Sequence, residues 1–291
     1  MLKSRYSRIL FAVDDDEALF AAERLVGAWA RRWDAEVRVL HVRRMDPSVP
    51  DTATRRLVDA VVDRLRASGV GSEGEIHVAQ LGESVGAVVA RAAAHAEADL
   101  IAIGSHGRSD LGVLLLGSVS QAVASESLAP VLVLTAPFAW SDEPRTVLVA
   151  VDGLAASDEA AAEAAGVAER FGAAVHVYHA RRTDAAAAEP EEAAEAVVRR
   201  AVAIVERHGA RAIGEITVEH SIANGILRAA ERNGADLVVL GSRRPSTLDS
   251  LVVGSVAHDV LPRLRCPVLL ARRVRTRVPI EGQSTGAPRL K

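Results

Sequence analysis

The sequence predicts an α/β protein made of two similar modules. Each is a Rossmann-like, open, parallel five-stranded sheet with helices on both faces. Three observations predict this. Short apolar runs alternate with stretches of helical period, which is the pattern of βαβ crossovers and a parallel sheet. The apolar runs are mostly continuous, as strands buried on both faces are. The whole pattern also occurs twice. Ile9-Leu-Phe-Ala-Val-Asp14 returns as Val147-Leu-Val-Ala-Val-Asp152, and Val39-Leu-His-Val42 as Val177-Tyr-His-Ala180. Asp99-Leu-Ile-Ala-Ile-Gly-Ser105 returns as Asp236-Leu-Val-Val-Leu-Gly-Ser242, Gly117-Ser-Val as Gly254-Ser-Val, and Pro130-Val-Leu-Val-Leu as Pro267-Val-Leu-Leu-Ala. The offset stays near 137 or 138 residues, so one duplicated module explains all five matches.

In the first module, Arg8–Val13 reads as a strand. Glu17–Trp33 reads as a helix, with Leu19, Phe20, Leu25, Val26 and Trp29 at helical period. Glu36–Val42 is a strand, and Asp51–Ser68 a helix with Leu57, Val58, Val61, Val62 and Leu65 on one face. Glu75–Gln80 alternates apolar and polar residues, as a strand does. Ser84–Ala96 is a helix capped by Ser84 or started by Gly82, Leu100–Ile103 a strand, Ser118–Glu126 a helix and Val131–Leu134 a strand. The second module repeats the order. Val147–Val151, Ala174–His179, Ile213–Glu219, Leu237–Leu240 and Val268–Ala271 are its strands. Ser157–Phe171, Glu191–His208, Ile222–Asn233 and Val256–Leu264 are its helices.

The chain has 291 residues, enough for two domains with cores of their own. The domains are expected at 1–138 and 145–275, joined by a Pro-containing linker from Ala136 to Arg145. A basic and then Pro-, Gly- and Ser-containing tail follows, with 276–291 expected to be disordered. The composition is 49% hydrophobic and 25% charged, that of an ordinary globular protein. Aromatic residues make up only 3%, so aliphatic side chains must build the cores, with Trp29, Trp33 and Trp140 as packing anchors. A net charge of −3 gives no electrostatic case for nucleic acid. The one cysteine, Cys266, allows no intrachain disulfide and reads as a small buried hydrophobe. No apolar run approaches the roughly 18 residues that span a bilayer, and the first residues lack a signal-peptide core. The expectation is a cytoplasmic chain.

The stretch Gly104–Ser120 carries the chemistry. It leaves a strand end, turns through Gly104, Gly107 and Gly117-Ser118, and enters a helix. Glycines let a backbone approach a ligand closely, and a helix start offers unpaired N–H groups to an anion. The spacing matches neither a P-loop, which ends in Gly-Lys-Ser/Thr, nor a Gly-x-Gly-x-x-Gly fingerprint. In an open α/β sheet the ligand crevice lies at the strand carboxyl ends, where the strand order reverses. Asp14, the strand end near Val42, and the Gly104 loop should flank it. Ser118 and Ser120 place hydroxyls beside the helix start, and Arg108 offers an anion a planar donor fork. His41 and His179 end the second strands in register and read as core-edge residues.

In motif order and over both halves, from about Arg8 to Ala271, the chain resembles a tandem universal stress protein. The resemblance implies that the last strands, Val131–Leu134 and Val268–Ala271, pair antiparallel within the chain, so that two apolar sheet edges are hidden and the modules form an intramolecular pseudo-dimer. It also implies ATP binding, with adenine and ribose near Val13, Asp14 and Val42. It places the phosphates on Gly104, His106, Gly107, Arg108, Gly117, Ser118, Val119 and Ser120. The same matching carries over to Val151, Asp152, Gly241, Arg243, Arg244, Gly254 and Ser255 in the second module. Asp15 and Asp16 stand where the family often has a glycine. Beside Asp14 they would repel a polyphosphate unless Mg²⁺ sat between, with Asp14 as its ligand, or they could simply start the following helix. Arg244 replaces the second loop glycine of the second module, either filling the phosphate space or supplying charge to it, and Pro245 removes an N–H donor. The function implied is a regulatory ATP-binding stress protein, as a homodimer and with a protein partner of unstated identity. A slow ATP hydrolase and a nucleotide-free scaffold are the alternatives; neither a catalytic base nor a P-loop lysine accompanies the loop, which favours binding over turnover.

Overall fold

One ten-stranded sheet runs through the computed structural model, which describes residues 6–14, 19–44, 51–104, 118–135, 140–182, 189–242 and 255–272. The first half contributes β1 (Arg8–Ala12), α1 (Leu19–Trp33), β2 (Glu36–Arg44), α2 (Asp51–Ala67), β3 (Ser72–Ala79), α3 (Val85–His95), β4 (Leu100–Gly104), α4 (Ser118–Glu126) and β5 (Val131–Leu134). The second contributes β6 (Thr146–Ala150), α5 (Ala155–Phe171), β7 (Ala174–Arg182), α6 (Glu191–Arg207), β8 (Arg211–Glu219), α7 (Ile222–Arg232), β9 (Leu237–Gly241), α8 (Ser255–Val260) and β10 (Val268–Ala271). The strand order is β3-β2-β1-β4-β5-β10-β9-β6-β7-β8. Within each half every pairing is parallel, as the βαβ pattern requires.

The two five-stranded sheets expected from the sequence join edge to edge. β5 and β10 pair antiparallel, with Leu132 opposite Leu269. All eight residues of these two strands are buried. The pseudo-dimer is therefore one continuous sheet with a twofold-like seam, and its two most apolar edges cover each other.

Both faces of the sheet are packed. Ile9 and Phe11 enter the core under α1, α2, α5 and α6, while Leu10, between them, enters the core under α3, α4, α7 and α8. This is why the central strands read as unbroken apolar runs. Two glycines permit close packing of helix on edge strand. A Cβ on Gly74 would lie 2.5 Å from Val58 Cγ1, and one on Gly214 would lie 2.5 Å from Val198 Cγ1. The central strands are started alike. The Asp99 carboxylate accepts from Ser7 N and Arg8 N, and the Asp236 carboxylate accepts from Arg145 N and Thr146 N.

Several element ends differ from the sequence reading. β2 and β7 run on to Arg44 and Arg182, because their ladders to β3 and β8 continue through charged residues. β3 begins at Ser72 rather than Glu75, since backbone pairing with Val37 holds residues whose side chains show no alternation. α8 stops at Val260 and tightens into a 3₁₀ turn, Leu261–Arg263, where Pro262 lacks an amide hydrogen.

The halves also meet through helices. Tyr6, Trp29, Trp33 and Phe171 form an aromatic cluster, with ring centroids 4.9 Å apart for Tyr6–Trp33 and 5.2 Å for Trp33–Phe171. Arg32 Nε donates to Arg170 O at 2.7 Å, and Arg170 Nε donates to Arg32 O at 2.6 Å. These two arginines are repeat equivalents, so the contact is self-complementary, as across a twofold axis. The Tyr6 hydroxyl donates to the buried carboxylate of Glu163 on α5. Trp29, Trp33 and Trp140 are all buried, as anchors should be.

Candidate functional site

The strand order reverses at β1: the chain runs from β1 to β2 on one side and returns to β4 on the other. A crevice opens there, at the carboxyl ends of these strands. Its rim includes Val13, Asp14, His41, Val42 and Gly104, over a floor that includes Leu40, Val85, Val89 and Ile103. The empty volume is about 740 Å³, part of it open to solvent. An apolar floor with a few polar groups at the rim is the usual build of a small-molecule site.

Each rim residue is placed by backbone geometry. Val13 N donates to Leu40 O at 2.9 Å, which extends the β1–β2 ladder one residue past β1. Val13 O accepts from His41 Nδ1 at 2.9 Å, fixing the direction in which the chain leaves the strand. Asp14 follows, exposed. Val42 is half-buried on β2. Gly104 ends β4, and α4 starts at Ser118 with Val119 also lining the crevice.

Ser120 also lines the crevice, and its hydroxyl bonds within the protein. Its side chain is buried, and its Oγ donates to Gly104 O at 2.8 Å. The hydroxyl proton is thus committed to tying the β4 end to the first turn of α4. Its role is to hold the two ends of the glycine loop in position. His106, Gly107, Arg108 and Gly117 lie outside the described residues, as do Asp15 and Asp16; of Ser118 only the backbone is described.

The second module builds its counterpart differently. Val151 O accepts from His179 Nδ1 at 2.7 Å, the same bond as in the first module. Asp152 Oδ1 accepts from Leu154 N at 3.0 Å, closing a turn through Gly153, whose φ of 75° suits glycine. Gly241 ends β9 where a Cβ would lie 2.5 Å from Ala156 O. Ser255 opens α8, exposed, but Ala257 takes the place of Ser120. Arg243, Arg244, Pro245 and Gly254 lie outside the described residues.

Two features escaped sequence reasoning. His41 and His179 are more than core-edge residues, since both bond the carbonyl at the crevice rim. Their register in the repeat was the available signal, but a strand pattern does not say where a ring nitrogen points. Trp140 lines the first crevice as well as packing the core. Its distance in sequence from every other rim residue hid this.

Among the described residues no group of three or more His, Cys, Asp or Glu is placed to hold a metal ion. The Cys266 thiol is buried, and burial pushes its pKa up to about 12, so it is a packing residue and not a nucleophile. No helix among the described residues is long and apolar enough to cross a membrane.

Comparison with known proteins gives consistent matches. The family model described as the universal stress protein family matches residues 5–135 and again residues 143–272. Universal stress protein Rv2005c of Mycobacterium tuberculosis is 30% identical over 187 residues. That match spans 61% of this chain and 63% of the relative, just under two thirds of its length. Universal stress protein Rv2623 of the same organism is 28% identical over 297 residues, covering 91% of this chain and 96% of the relative. A universal stress protein structure from Archaeoglobus fulgidus superposes with a TM-score of 0.73 at 22% identity. It covers 91% of this chain and 96% of that one, a likeness of fold.

Proposed function

Because the chain belongs to the universal stress protein family and carries its domain twice, we propose that it is an ATP-binding regulatory protein without rapid turnover. The observation that carries the reading is the crevice at the β1/β4 switch point. Adenine would lie against Val42 and the apolar floor, and the ribose beside Asp14. The phosphates would lie on the loop between Gly104 and the start of α4, where glycines and helix N–H groups favour an anion. His106, Gly107, Arg108, Gly117 and Ser118 belong to this reading through the sequence. Mg²⁺ would be held by Asp14 together with the phosphates, since one carboxylate is too few for a protein-only site. No general base or P-loop lysine is part of the proposal, so occupancy rather than hydrolysis is the signal. A cytoplasmic homodimer, responding to ATP by engaging another protein, completes it.

ATP titrated calorimetrically into the purified chain tests this directly. Binding is expected, with a loss of at least about tenfold in Val42→Arg and Gly117→Val and little change in Gly254→Val. Phosphate release should not exceed that of a Gly107→Val control. Binding unaffected by the first two substitutions would leave the crevice without a role.

A further inference from the structure

His41 and His179 occupy equivalent places, yet their outer nitrogens meet different fates. In both rings Nδ1 lies against a backbone carbonyl, Val13 O or Val151 O. A carbonyl only accepts, so Nδ1 carries a proton in each, and Nε2 is the nitrogen left for another partner. His41 lines the first crevice, and its Nε2 has no partner among the described residues. His179 is 5% exposed, and its Nε2 lies 2.6 Å from Glu189 Oε2.

Glu189 is held there by its backbone as well. Arg181 Nε and Nη2 both donate to Glu189 O, at 3.2 and 2.8 Å. Residue 189 is thereby pinned onto the carboxyl end of β7, two residues before α6 begins. The residue two before α2 is Val49, which has no carboxylate to offer. Asp152, the other polar group at this end of the second module, also bonds within the protein, to Leu154 N.

We propose that Glu189 is an internal substitute for a ligand. It fills, at His179 Nε2, the position where the nucleotide of the first module presents a ribose hydroxyl to His41. The chain is then a one-nucleotide binder with a second adenosine-nucleotide site latched shut by its own carboxylate. This rests on the nucleotide reading of the first module. The chemistry is shared: with Nδ1–H on the carbonyl, a carboxylate oxygen and a ribose hydroxyl oxygen can each accept from Nε2–H of the same imidazole. Glu189 does so without losing the freedom a bound ligand loses, so it excludes a weak competitor.

The test is ATP stoichiometry by calorimetry on the intact wild-type chain, Glu189→Ala and Glu189→Val, with folding checked by circular dichroism. Glu189→Val places the first module's residue there, with no hydrogen-bonding group, should Glu189→Ala fail to fold. The expected result is about one ATP per chain for wild type and about two for either variant. Adding Val42→Arg to the variant should remove the first-module site and return the count to about one. If wild type binds one and both variants still bind one, the latch is overturned while the first-module reading stands. A wild type that already binds two also overturns the latch. If wild type binds none and a variant binds one, the latch is supported and the first-module reading falls. No binding by any of the three overturns both.

Discussion

At the scale of single residues, local partners decide what each polar group can do. Ser120 shows it: a hydroxyl at a helix start suggests a ligand donor, but its proton is given to Gly104 O, which ties β4 to α4 and leaves the oxygen an acceptor at the crevice. His176 on β7 shows the same dependence on surroundings. Partial burial lowers its pKa from the usual imidazole value, because a ring partly withdrawn from water resists charging. In the unfolded chain this ring takes up its proton as pH falls through about 6.5, while in the fold it does so only at lower pH. Below about pH 6.5 the unfolded state therefore binds more protons. The contribution is present in full above that pH and is lost as pH falls toward the folded value. Thermal unfolding followed at about pH 7.5 and about pH 5.5 should show a larger drop in wild type than in His176→Gln. Equal drops would mean the ring is not excluded from water.

At the scale of elements, most of the chain was legible, and the exceptions have a common cause. α4, β5 and β10 have the bounds their patterns indicate, because a short apolar run between turn signals leaves little choice. β3 and the ends of β2 and β7 were misjudged, because ladder bonds to a neighbouring strand extend them through Glu73, Arg43 and Arg181. Side-chain periodicity does not record those bonds. Ser84 was legible in mechanism as well as position. Its Oγ accepts from Ala87 N at 3.0 Å, capping α3, and Ser221 caps α7 in the same way. Ser84→Ala should cost about 1 kcal/mol, read as a lower denaturant midpoint with an unchanged slope. A loss near zero would mean that water satisfies the helix end equally well.

At the scale of the whole molecule, the two modules are bound into one body by the β5–β10 seam and the aromatic cluster beside it. Phe171 packs on Trp29 and Trp33 with centroids 5.7 and 5.2 Å away. Truncating it opens a cavity at the contact between halves. Phe171 is half-buried, so Phe171→Ala should cost about 1–3 kcal/mol, and calorimetry should show one unfolding transition in wild type becoming broadened or split. A variant that still unfolds in one sharp step would place the coupling in the strands alone.

The doubled α/β architecture and the switch-point crevice follow from the order of residues, while the antiparallel seam was expected from the family resemblance alone. The first two depend on local apolar pattern and on a repeat visible at a constant offset. Which groups at the two crevices are open and which are engaged did not follow. His179 meets Glu189 across ten positions, Ser120 reaches Gly104 across sixteen, and Tyr6 finds Glu163 in the other module. Such bonds depend on the direction of a side chain after the chain has folded. Folding also brings Trp140, outside the repeat, to the rim of the first crevice. Periodicity says which face a residue occupies, but a hydrogen bond needs a distance, and only the packed molecule supplies it.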